Sequence, residues 1–74
     1  MNLKHVTNLL DDGGSVTLGA VGPVGCAAIA SDHHNCLAML VRGGGESLED
    51  LLTRLDEAIR TAVEDGFFSD EING

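Results

Sequence analysis

The side chains best suited to chemistry sit together near the middle of the chain, where Asp32, His33, His34, Asn35 and Cys36 are consecutive. Histidine, cysteine and aspartate are the usual ligands of zinc and related metals. Their spacing argues against a site. Adjacent histidines seldom turn toward one ion, and no Cys-x-x-Cys or His-x-x-x-His pair occurs. A metal on His33, His34 and Cys36 would need a bridging arrangement between subunits, with His5 recruited. Cys36 beside His34 is also a minimal nucleophile–base pair. No third group is in place to orient the imidazole, so a buried thiol acting as a small hydrophobe is the expected state of Cys36. The chain is therefore read as non-enzymatic, with no catalytic residue and no cofactor.

Two glycine-rich stretches, Gly19–Gly25 and Gly43–Gly45, invite comparison with phosphate-binding loops. Neither carries G-x-G-x-x-G or G-x-x-x-x-G-K-[ST]. Arg42, Gly43 and Gly44 precede a helical segment whose N-terminus would attract an anion. They carry an alternative reading, a nucleotide-type small ligand held at a subunit junction. Glu46, Glu49 and Asp50 already place negative charge there.

Charge narrows the partners. Twelve acidic and four basic side chains give a net charge of −8 over 74 residues. Direct nucleic-acid binding needs clustered cations, and Lys4, Arg42, Arg54 and Arg60 are scattered. Asp56, Glu57 and Glu64 follow the polar side of the last helical segment, an acidic strip suited to a basic protein surface. Phe67 and Phe68, the only aromatics, lie just beyond it. They either fold back on the sheet or form an exposed anchor, since aromatic anchors dominate interface energetics.

These residues need elements to position them. Leu3, Val6, Leu9 and Leu10 have helical spacing, and Gly13-Gly14 stops that segment, which predicts a short helix over 2–11. Val16, Leu18 and Ala20 alternate with Thr17 and Gly19 as in a strand. The runs 26–31 and 36–41 flank Asp32–Asn35 and read as a hairpin. With Ser31 opposite Cys36, the expected register places Ala30 opposite Leu37, Ala28 opposite Met39 and Cys26 opposite Val41. Both faces are then apolar, so both should be covered.

Ser47 is a good N-cap with Asp50 three residues on, and Gly66 is a good left-handed stop. Leu48, Leu51, Leu52, Leu55, Ala58, Ile59, Ala62 and Val63 make one apolar stripe between them. This helix, over 48–65, is about 27 Å long, enough to lie along a hairpin whose strands are about 23 Å. The expected fold is a single α+β domain over 1–74. It has a short N-terminal helix, two or three antiparallel strands within 15–42, the C-terminal amphipathic helix packed on the sheet, and a tail over 67–74. A chain this short has a marginal core, and a homo-oligomer formed through a sheet face or edge would complete it.

No stretch approaches the roughly 20 apolar residues of a membrane span. The start MNLKHVTNLL lacks the basic and apolar regions of a signal peptide. The expected setting is the cytoplasm, with no membrane partner and with Cys26 and Cys36 reduced.

The segment SLEDLLTRLDEAIRTAVEDGFFSDEING resembles the ends of small orphan proteins encoded by phages and prophages. The resemblance rests on a helix followed by an acidic FFSDEIN-type tail and covers under half of the chain. It implies an accessory protein of the anti-defence type that binds and modulates a host protein.

Overall fold

The elements run α1 (Lys4–Asp11), β1 (Ser15–Ala20), β2 (Cys26–Ser31), β3 (Cys36–Val41), α2 (Leu48–Asp65) and β4 (Ser69–Asp70) in the computed structural model, which describes residues 2–73. A short 3-10 turn, Gly22–Val24, joins the first two strands. The last residue of the expected tail, Gly74, lies outside the described residues. The sheet has four strands in the order β1-β2-β3-β4. The first three are antiparallel and β4 joins β3 in parallel. The fold is α+β, with a sheet one strand larger than the sequence suggests and mixed rather than purely antiparallel.

Local signals explain the long helix. The Ser47 hydroxyl accepts the Asp50 N–H at 3.0 Å, which satisfies one orphan donor of the first turn. Gly66 takes the left-handed conformation, φ 71°, and its N–H returns to the Ala62 carbonyl. Between these ends, Leu51, Leu55 and Ile59 are the largest fully buried side chains. Each is worth about 1.5–3 kcal/mol of apolar transfer.

The hairpin register departs from the expected one. Ser31 does pair with Cys36, but Ala30 pairs with Ala38, Ala28 with Leu40 and Ala27 with Val41. One extra residue, Leu37, is bulged out next to the turn, and every later pair slips by one. Because side chains alternate, the slip exchanges faces. Ala28, Ala30, Ala38 and Leu40 now share the core with Val6, Leu9, Leu51, Leu55, Ala58 and Ile59. Met39 and Val41, expected beside Ala28 and Cys26, belong to the opposite face with Ala27 and Ile29. The alanines matter here. Three small side chains on the inner face, Ala28, Ala30 and Ala38, let two helices approach one side of the sheet, α2 over β2 and β3, and α1 beside α2 and β1. Both helices lie on one side, over Ala28, Ala30, Ala38 and Leu40, while Ile29, Met39 and Val41 on the other face are half-buried.

α1 is fastened to α2 through its own backbone. The Asp56 carboxylate accepts the N–H groups of His5 and Val6 at 2.8 and 2.9 Å. Asn2 accepts the N–H of Lys4 at 3.1 Å. Three orphan donors of the helix start are thereby satisfied, two of them from Asp56, 51 and 50 residues away. At the other end, a Cβ on Gly14 would lie 2.4 Å from Leu9 Cδ1 and 2.8 Å from the Ser31 carbonyl oxygen. Only glycine lets α1 turn so closely into β1.

Candidate functional site

The polar hairpin tip is a self-satisfied turn. The Asp32 carboxylate accepts the N–H groups of His34 and Asn35 at 2.8 and 2.7 Å. These two bonds, the one from His34 first, hold its pKa below the usual carboxylate value. His33 Nε2 lies 3.1 Å from the Asp12 carbonyl oxygen. A carbonyl only accepts, so this contact selects the tautomer with the proton on Nε2. The rings of His33 and His34 stand edge to face, 6.3 Å apart. Among the described residues no three side chains of His, Cys, Asp or Glu are grouped as metal ligands. Cys36 is exposed rather than buried as expected, because the bulge and the turn leave it at the open end of β3. Cys26 is half-buried, and neither thiol is in a disulfide.

The same tip borders a groove of about 600 Å³, whose floor is Leu9, Leu37, Ile59 and Val63 and whose rim includes Asp11, Asp12 and Asp32.

Arg42, Gly43 and Gly44 form a loop that closes on its own carboxylate. Glu46 Oε1 accepts the Gly43 N–H at 2.9 Å, and Arg42 Nε donates to the Glu46 carbonyl at 2.8 Å. Glu46 is in turn held in a two-bonded pair with Arg54 of α2, at 2.7 and 3.0 Å. The guanidinium, then the Gly43 amide, lower the Glu46 pKa to about 2. Arg54 also donates to Glu71 at 2.8 Å and to the Val41 carbonyl at 3.0 Å. Glu71 completes the ring by accepting the Val41 N–H at 2.9 Å. Arg54 thus ties the loop, the end of β3 and the chain after β4 to α2. None of these roles is readable from spacing, since the partners are 8, 13 and 17 residues away.

The acidic strip has two kinds of member. Asp56 is committed inward as the cap of α1. Glu57 and Glu64 stay at the surface on either side of Arg60, which bonds Glu57 at 2.9 Å through Nε and Glu64 at 3.4 Å. Arg60 lowers the Glu57 pKa. The strip offers a paired, partly neutralised surface rather than a row of free carboxylates.

Phe67 and Phe68 leave α2 just past the Gly66 stop and remain 60% and 44% exposed. Val63, one turn earlier, is 68% exposed. A groove of about 370 Å³ runs between the two phenyl rings and Cys36, Leu37 and Ala62. Phe67 also borders a second groove of about 320 Å³ along Leu40, Ala58 and Arg54. The structure brings Phe67, Phe68 and Glu64 to one end of α2 and leaves Asp56 apart from them.

No protein-family model matches the chain, and neither a curated protein nor a solved structure is similar to it. Among the described residues no helix is long and apolar enough to cross a membrane.

Proposed function

We propose that this chain is a non-enzymatic interaction module that docks a protein partner through Phe67 and Phe68. The observation that carries the reading is the exposure of both aromatics at the left-handed end of α2. Exposing two phenyl rings and Val63 to water is unfavourable unless a partner covers them. A rigid helix end presenting aromatics beside open grooves is the arrangement of an interface hot spot. Glu64 and Asp65 flank the anchor on α2 and favour a partner with basic residues around an apolar centre. If the chain is phage-encoded, as its tail resembles, that partner is a host protein whose activity it modulates.

The test compares affinity capture by the wild type with capture by a Phe67→Ser/Phe68→Ser variant. A specific partner is retained by the first, lost by the second, and released by rising salt. Identical retention by a variant with an unchanged circular dichroism spectrum would overturn the reading. Charge reversal at Glu57 and Glu64 probes the basic character of the partner; Asp56 is unsuited to that purpose because it caps α1.

A further inference from the structure

β1 is the one long edge of the sheet, and it carries none of the usual protections. Natural sheets blunt their edges with charges, proline, bulges or very short strands. β4 does so, with two residues, Asp70 among them, and Glu71 following. β1 reads Ser-Val-Thr-Leu-Gly-Ala, without charge or proline, and pairs with β2 without a register shift. None of the twelve acidic and four basic side chains falls in β1, β2 or β3. In a chain of net charge −8, this is the surface that a second copy can approach without like-charge contact.

The ladder fixes which backbone groups are free. The Val21 N–H bonds the Gly25 carbonyl at 2.8 Å. In an antiparallel ladder, bonded pairs alternate. Gly19–Ala27, Thr17–Ile29 and Ser15–Ser31 are therefore the bonded pairs, and Val16, Leu18 and Ala20 turn their N–H and C=O groups toward the open edge. This set is symmetric about Leu18, whose side chain is 42% exposed although it shares a face with Ala28.

We propose that two copies of the chain pair antiparallel through β1 about a two-fold axis at Leu18, joining their sheets into one of eight strands. Val16 then faces Ala20 of the second copy and Leu18 faces its own counterpart. All three pairs exchange backbone bonds, the uncharged side chains pack without an unpaired ion, and the half-exposed Leu18 is covered. The interface is isologous and closed, which prevents further growth along that edge. It uses none of the residues of the Phe67 and Phe68 anchor, so either surface can fail while the other stands.

Light scattering after size exclusion tests this with Leu18→Lys and Leu18→Glu variants. The wild type is expected to run as a dimer of the 7.7 kDa chain. Each variant alone places like charges across the axis and is expected to run as a folded monomer, and an equimolar mixture of the two is expected to dimerise again. Leu18→Ala, which perturbs the strand least, weakens the dimer about threefold. A monomeric wild type, a dimer that survives both charged variants, or a mixture that stays monomeric would each overturn the proposal.

Discussion

At the β4 edge two residues are held largely by side chains, whereas at the β1 edge six residues are held by main chain. β4 stays in place because Glu71 bonds the Val41 N–H and reaches Arg54, and because its own N–H meets the Met39 carbonyl. β1 stays because a full antiparallel ladder joins it to β2 and because α1 turns into it through Gly14. One edge is therefore conditional on ionisation, and the other is not. The conditional edge is also the one carrying acidic residues, so charge both fastens it and closes it to other strands. The unconditional edge needs no charge for its own pairing, and its backbone is left available.

The largest expected effect falls on the β1 side. Gly14→Ala drives a methyl group into Leu9 and the Ser31 carbonyl, and should cost about 2 kcal/mol in denaturant unfolding followed by circular dichroism. A loss near zero would mean that α1 does not brace β1. Arg54→Ala should cost less, about 1 kcal/mol, because its ion pairs are half-exposed. Its diagnostic is local: the Glu71 amide should lose hydrogen-exchange protection while the β1–β2 amides keep theirs. Equal loss at both edges would mean that Arg54 does not act on the β4 edge in particular.

Acid gives the third and subtler test. The Glu46 pKa lies at about 2 in the fold against an ordinary 4.5. A depressed carboxylate pKa contributes stability that is fully present above 4.5 and lost as pH falls through about 2. Between those values the loop and β4 should loosen before β1 does, as read by amide exchange. Molar salt should act in the same direction and more weakly, since it screens exposed pairs and leaves the β1 ladder untouched.

Some of this organisation was legible in the residues. Ser47, Asp50, the leucine stripe and Gly66 specify α2 because helix ends and faces are written in local chemistry. The turn Asp32–Asn35 and both flanking strands are equally local. The register was not. A bulge at Leu37 is one residue of slack next to a turn, and either pairing leaves two apolar faces in an alanine-rich hairpin. β4 was invisible for a different reason. Ser69 and Asp70 have no strand preference, and they pair only because Glu71 finds Val41 and Arg54. At the candidate site, the aromatic pair stood out by rarity, while the division between Asp56 and the outward Glu57 and Glu64 depends on where α1 docks.

The cap that Asp56 places on α1 has a bearing on how the chain comes off the ribosome. α1 is eight residues long, too short to persist alone in water. Its first turn gains partners only once residue 56 has emerged and α2 has wound. α1, made before α2, thus settles only when α2 has formed and its Asp56 reaches back to it.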